Sequence, residues 1–222
     1  MKQFLFLYPI PEIISFEINK GMYSFRDQKK DQEFLGRLNE AKLEVEKEAI
    51  RQKALQAARS EFRTVYRATL NACIDARYRK KGFNITYAVF DASPVSDVIE
   101  LQPSDRIIEV GLNFQTHTTQ QPDGEYPYPN SDYILDQVES TKVLRVAGFH
   151  LWDCVDRIAR RAYERGLEVL VDEDLTELFP GRIRNPEFKI NTYPSYNPRK
   201  DQGTIRKMFL EARKERPWLW QE

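Results

Sequence analysis

Residues 143–179 constrain the fold more than any other part of the chain. They form an apolar run, Gly148, a run with helical spacing, Gly166, and a second apolar run that ends in acids. The middle run keeps apolar residues at three- and four-residue steps, which predicts one buried helix face. Those residues are Val155, Ile158, Ala159, Ala162 and Tyr163. Because a right-handed crossover lays the two flanking strands parallel, the stretch predicts an open parallel α/β sheet.

Cys154 is the residue of this unit that suggests chemistry. It begins the crossover helix at the carboxyl end of a parallel strand, where open α/β sheets bind ligands. A helix N-terminus also lowers the pKa of a thiol held there. Cys154 is therefore a candidate nucleophile, and a purely structural thiol is the alternative. His150 precedes it by one helical turn and is a candidate to orient or activate it, whereas Asp153 would raise the thiol pKa if its carboxylate faced the sulfur.

The rest of the chain also alternates strands with helices. We predict strands at residues 3–8, 13–18, 83–90, 98–101, 106–112, 143–147 and 167–171. We predict one long helix or a broken pair of helices at 28–81, further helices at 132–140 and 203–216, and a polar loop at 116–131. This order predicts a three-layer, doubly wound α/β/α fold with a mainly parallel sheet. We expect one domain over residues 1–222, with a charged helical insertion at about 28–61 and a C-terminal extension at about 180–222.

The helical unit at residues 28–81 has two different halves. From 62 to 74 the apolar residues keep helical spacing, as expected of a helix packed on a sheet, and Cys73 falls on that face as core. From 31 to 59 apolar residues are sparse among charges. That half is expected to project into solvent or to pair with a partner chain, so we predict a homo-oligomer.

Composition limits the partners. The formal net charge is zero, with 34 basic and 34 acidic side chains, which makes nucleic acid an unlikely partner of the whole chain. Two cysteines and two histidines without metal-ligand spacing argue against a zinc site. Since the sequence also lacks a glycine-rich phosphate loop, we predict neither a metal nor a cofactor. The apolar N-terminus is interrupted by Pro9 and Pro11 and is interpreted as a strand, so we expect a cytoplasmic protein without a membrane anchor.

The motif around Cys154 matches a known pattern. A strand is followed by Gly148, five residues, Cys154-Val155, a helix with Ala159-Arg-Arg-Ala162, Gly166, and a strand closing on Asp172 and Asp174. In this it resembles the isochorismatase-like cysteine hydrolases, a superfamily that includes isochorismatases, nicotinamidases and carbamoyl-amide hydrolases. The resemblance is specific over residues 131–179 and weaker upstream, where Lys81-Gly82 and Pro103-Ser-Asp105 fit the pattern.

The resemblance implies a triad that this chain departs from. Active members use an aspartate after the first strand as acid and base, a lysine after a later strand, and the cysteine as nucleophile. The aspartate position falls near Tyr8 or Pro9, and the lysine position falls near Val110. Glu12 lies close enough to be a displaced acid, so Glu12 and His150 are the candidate replacements for the missing base.

Three functional hypotheses follow. The leading one is a catalytically degenerate family member that acts as a binding or assembly protein through its long helix and aromatic tail. The second is an active hydrolase of a small amide or ester, with Cys154 as nucleophile and Glu12 or His150 as base. The third is a binder of an acidic partner or nucleic acid through the terminal helix, against which a solvated charged face is the alternative. The basic residues in question are Arg206, Lys207, Arg213, Lys214 and Arg216.

Overall fold

Five parallel strands form the centre of the protein. In the computed structural model, β1 (Lys2–Leu7), β2 (Asn84–Val89), β3 (Arg106–Glu109), β4 (Val143–Gly148) and β5 (Glu168–Val171) lie in the order β3-β2-β1-β4-β5. The structure describes residues 1–9, 25, 27–91, 95, 98–138, 141–195 and 204–221, with the backbone alone at 204–209. Every neighbouring pair of strands is parallel, as the crossover pattern predicts.

Helices fill the connections between the strands. Between β1 and β2 lie α1 (Gln28–Glu40), α2 (Glu44–Glu61) and α3 (Arg67–Arg77), with a wider π-type turn at Phe62–Tyr66 joining α2 to α3. Between β3 and β4 lie α4 (Phe114–Thr118) and α5 (Ser131–Gln137), and α6 (Asp156–Glu164) connects β4 to β5. The short α7 (Phe179–Arg182) and then α8 (Thr204–Glu215) follow β5. Within the described residues, no helix combines the length and apolarity needed to cross a membrane.

The two faces of the sheet carry separate cores. Because successive strand residues point to opposite faces, Phe4 and Phe6 of β1 join one core while Leu5 and Leu7 join the other. Helices α2 and α3 cover the phenylalanine face, and α5 and α6 cover the leucine face. The protein is therefore an α/β fold with helices on both sides of a parallel sheet.

One predicted strand is wrong. Residues 98–101 form a turn, in which the N–H groups of Val98 and Ile99 donate to the carbonyl of Val95 at 3.0 and 2.9 Å. The buried Asn71 side chain also bonds the Val98 carbonyl at 3.2 Å and the Glu100 N–H at 2.8 Å. These bonds satisfy the backbone polar groups that a neighbouring strand would otherwise satisfy. The predicted strand at 13–18 lies outside the described residues.

The charged helical unit folds back on the chain. Helix α1 begins at Asp27, whose side chain accepts from the Lys29 N–H at 2.9 Å, and a break after α1 lets α2 return as a hairpin. Phe34 and Ala58 are buried in the core on the phenylalanine face, so this half does not simply project into solvent. Leu43, just before α2, is exposed. Pairing with a second chain stays a prediction.

A buried arginine ties α3 to the end of the sheet and to the C-terminal extension. Nη1 of Arg77 donates to both carboxylate oxygens of Asp172 and to Asp174, each at 3.0 Å. Its Nε and Nη2 donate to the carbonyls of Ile190 at 2.9 Å and Lys189 at 2.6 Å. The Arg77 guanidinium therefore links α3 to the segment after β5 and to residues 189–190.

The end of the chain completes the core. Arg213 of α8 donates from Nη2 to both carboxylate oxygens of buried Glu173, at 2.7 and 2.6 Å. The Val171 N–H donates to the Trp218 carbonyl at 2.8 Å, which covers part of the β5 edge. Tyr163 corrects the predicted helix face, because it is 48% exposed and packs its ring against Trp218 with centroids 5.7 Å apart.

Candidate functional site

The candidate site lies where the strand order reverses. The chain runs outward from β1 through β2 to β3 on one side and from β4 to β5 on the other, so the reversal falls between β1 and β4. Crevices at such points, outside the carboxyl ends of the strands, are the ligand sites of open α/β sheets. Tyr8 directly follows β1, and Cys154 follows β4. The topology thus brings the candidate thiol to the expected edge.

Gly148 lets β1 and β4 meet closely at this edge. Its φ is +113°, and a Cβ built there would lie 2.1 Å from the backbone oxygen of Leu7, so a larger residue cannot fit. Beyond it, Leu151–Val155 form a π-type turn in which Asp153 is non-helical, at φ −132° and ψ −106°. Cys154 sits in this turn and is 4% exposed.

His117 lies against the Cys154 sulfur. Its Nε2 is 3.8 Å from Sγ, and its Nδ1 is 2.7 Å from the carbonyl oxygen of Pro127. Because a carbonyl only accepts, Nδ1 carries the proton and the lone pair of Nε2 faces the thiol. This tautomer is the one that accepts a thiol proton. A cysteine, a base and a third group that orients the base are the elements of an activated nucleophile.

Local structure fixes the His117 ring. Asn113 caps α4 by accepting the Thr116 N–H at 2.7 Å, which starts the short helix that carries His117. The imidazole stacks on Phe90 with centroids 5.1 Å apart and meets Tyr128 edge-on at 5.2 Å. The predicted polar loop at 116–131 therefore begins inside a helix and supplies the site with its histidine.

Tyr8 lies beside the thiol. It is buried, stacks on Phe90 with centroids 4.3 Å apart, and interacts electrostatically with Cys154. Its φ of +58° is unusual for a non-glycine residue and turns the chain at the end of β1. Burial, together with Cys154, raises the pKa of Tyr8 well above its ordinary value. Tyr8 is therefore a neutral O–H donor.

The pKa of Cys154 corrects the sequence prediction. Burial, followed by the charge of Asp153, raises the pKa of this thiol to about 12. The predicted lowering by the helix N-terminus is wrong, because the enclosed sulfur loses more solvation than the helix end returns. The resting thiol is protonated at neutral pH.

Asp153, Tyr128 and Arg157 form a polar group beside the thiol. The Tyr128 hydroxyl donates to Oδ2 of Asp153 at 3.0 Å, and Nε of Arg157 donates to Oδ1 at 3.3 Å. The Arg157 guanidinium also lies 3.8 Å above the Tyr128 ring. The carboxylate that raises the thiol pKa is thus partly neutralised by its own partners.

The two bases predicted from the sequence are His150 and Glu12, whereas the imidazole that contacts the thiol is that of His117. Nδ1 of His150 lies 3.8 Å from Oε2 of Glu177, and burial lowers the pKa of His150 to about 4, so this imidazole is neutral at pH 7. Glu177 accepts the Leu151 N–H at 2.8 Å, and burial raises the pKa of its carboxyl to about 7. Glu12 lies outside the described residues.

Sequence reasoning missed His117 and the hydroxyl of Tyr8. A signal for His117 was present, since the chain has two histidines and Asn113 is a plausible helix cap before this one. Among the described residues, no group of three or more His, Cys, Asp or Glu side chains is arranged to hold a metal ion. No protein-family model, no curated protein and no solved structure gives a significant match to the chain.

Proposed function

We propose that the protein is a divergent isochorismatase-like cysteine hydrolase that acts on a small amide or ester. The observation that carries this proposal is the pairing of Cys154 with His117, whose Nε2 lies 3.8 Å from the sulfur in the proton-accepting tautomer. The position of the thiol at the strand-order reversal and the motif of residues 131–179 support it. The sequence favoured a degenerate protein because the aspartate and lysine that the family resemblance implies are missing, with His150 and Glu12 as the candidate replacements for the base.

The proposed reaction has two halves. As Sγ of Cys154 bonds to the substrate carbonyl carbon, the thiol proton passes to Nε2 of His117, and the carbonyl becomes a tetrahedral oxyanion. The oxyanion collapses, the C–N or C–O bond breaks, and the leaving amine or alcohol takes the proton from His117. Water then attacks the thioester with His117 again as base, which releases the acid and restores the thiol.

The resting thiol is neutral in this proposal. Because burial raises the pKa of Cys154 to about 12, the proton moves as the S–C bond forms rather than before. Burial raises the pKa of Tyr8, so its hydroxyl stays protonated beside the thiol throughout the reaction. In this mechanism His117 takes the part first assigned to His150 or Glu12.

A second candidate is the degenerate binding or assembly protein. It is favoured by Tyr8, which stands where the family's aspartate is expected and cannot accept a proton at neutral pH. Buried Val110 likewise stands at the lysine position. On this hypothesis the site holds a small ligand without turnover. A cytoplasmic homo-oligomer is part of both proposals.

The basic side chains of the C-terminal segment do not favour an acidic partner. Arg213 is bound to Glu173, and Nε of Arg216 donates to Asp156 at 3.0 Å. Lys214 contacts Glu211 at 2.9 Å, and the side chains of Arg206 and Lys207 lie outside the described residues. The described basic residues of this segment are thus engaged within the protein.

Hydrolysis of p-nitrophenyl acetate tests the proposal. Cys154→Ser is expected to abolish the protein-dependent rate, and His117→Gln to lower it by about a hundred- to ten-thousand-fold, the usual contribution of a positioned proton carrier. Cys73→Ala is the matched control, because this thiol lies in the core on the other face of the sheet. A rate that survives Cys154→Ser, or equals that of the control with His117→Gln, would reject the hydrolase in favour of the second candidate.

A further inference from the structure

Cys154 is enclosed, although a nucleophile has to meet its substrate. It is 4% exposed, and two of the aromatic rings around it, His117 and Tyr128, come from the connection between β3 and β4. Residues 119–130 of that connection contain neither helix nor strand. His117 belongs to α4, whereas Tyr128, which packs against the core that contains the thiol, belongs to this segment without regular secondary structure.

The contacts between residues 119–130 and the turn that carries Cys154 lie near the protein surface. The Tyr128 hydroxyl reaches Asp153 at 3.0 Å, and Arg157 lies 3.8 Å above the Tyr128 ring. The side chains of Asp153 and Arg157 are 37% and 54% exposed, so water can replace these contacts when they break. One residue away, the Pro127 carbonyl accepts from His117. Releasing Tyr128 thus also releases the group that orients the base.

We propose that residues 119–130 are a lid over Cys154, and that Tyr128, held by Asp153 and Arg157, is the positioning residue that latches it and sets the His117 ring against the sulfur. Asp153 immediately precedes Cys154, so the latch fastens the segment to the turn that carries the thiol. The inference rests on the proposed function in one respect only, since it takes Cys154 as the reacting group.

The second cysteine provides an internal reference for opening. Cys73 is also buried, lies on the opposite face of the sheet, and has a pKa raised by burial to about 12, the same as Cys154. Global unfolding exposes both thiols, whereas lid opening exposes Cys154 alone. Comparing the labelling rates of the two thiols in one sample therefore separates lid opening from global unfolding.

The test is iodoacetamide labelling of the full chain, followed peptide by peptide with mass spectrometry. Wild-type Cys154 is expected to label faster than Cys73. Tyr128→Phe should raise the Cys154 rate about fivefold, because a part-exposed hydrogen bond to a carboxylate contributes at the lower end of the usual range. Tyr126→Phe removes a hydroxyl from an exposed tyrosine of the same segment and is the matched control, with no change expected at either thiol.

Three outcomes would overturn the lid. They are equal rates for the two thiols in the wild type, an equal increase of both in Tyr128→Phe, and the same Cys154 rate in Tyr128→Phe as in Tyr126→Phe. Arg157→Lys serves as a second variant that keeps the tyrosine and the positive charge near the thiol but loses the planar guanidinium over the Tyr128 ring, and it is expected to raise the Cys154 rate in the same direction. Labelling needs no turnover, so a lid without hydrolysis and hydrolysis without a lid give different results.

Discussion

Replacing Arg77 with methionine should destabilise the protein more than any surface charge change. The Arg77 side chain is 1% exposed, and those of Asp172 and Asp174 are fully buried. Methionine keeps much of the apolar stem but leaves Asp172 without the Arg77 cation, while Asp174 keeps Arg182 at 3.9 Å. Removing one partner of a buried ion pair costs about 3 to 5 kcal/mol. That is a large share of the roughly 5 to 15 kcal/mol that stabilises an ordinary domain.

The loss of unfolding free energy in Arg77→Met should increase with pH. Burial raises the pKa of Asp172 to about 6, and Arg77 opposes that rise. An acid whose pKa is higher in the folded than in the unfolded state stabilises the fold below its unfolded pKa and loses that contribution as pH rises through the folded pKa. Without Arg77 the folded pKa of Asp172 rises further. The deficit of Arg77→Met is therefore expected to be larger at about pH 8 than at about pH 5.

Urea unfolding followed by circular dichroism at both pH values measures this. Arg165→Met is the matched control, because Arg165 pairs with Asp132 and Asp136 at the surface and its loss should leave the free energy of unfolding within experimental error. The reasoning would be refuted if Arg77→Met cost the same at both pH values, or no more than Arg165→Met.

Two further predictions concern the edge of the sheet where the strand order reverses between β1 and β4. Gly148→Ala should greatly reduce the yield of soluble folded protein, since its Cβ would lie 2.1 Å from the Leu7 oxygen, and a normal yield with an unchanged melting temperature would contradict the close approach of β1 and β4. The alkylation rate of Cys154 should rise with pH from neutral to about pH 8 without a plateau, because burial raises the pKa of the closed thiol to about 12 and an exposed cysteine has a pKa of about 8.5, and a plateau well below about pH 8 would mean a resting thiolate instead.

The sequence predicts the fold well where the signal is local. The spacing of Val155, Ile158 and Ala162 and the glycines that flank this run are enough to place β4, α6 and β5, because helix and strand periods depend on neighbouring residues. The turn at 98–101 was not predicted because the carbonyl of Val98 bonds to the side chain of Asn71, which lies 27 residues earlier in the sequence. Local propensity does not reveal such a contact.

The site was harder to predict for the same reason. His117 is 37 residues from Cys154, and their contact depends on the path of the connection between β3 and β4. The sequence suggested opposite shifts of the thiol pKa, a lowering by the helix N-terminus and a raise by Asp153, and the raise is observed because the depth of the thiol in the protein, which the sequence does not show, adds to it.

Acyl transfer to Cys154 tests the central claim most directly. The protein is incubated with p-nitrophenyl acetate, quenched in acid, digested, and analysed by mass spectrometry for acetylated peptides. The Cys154–His117 pair predicts a thioester on Cys154 that forms in the wild type, forms far more slowly in His117→Gln, and does not form on Cys73. Acetylation of both thiols at equal rates, or none at Cys154, would contradict the account.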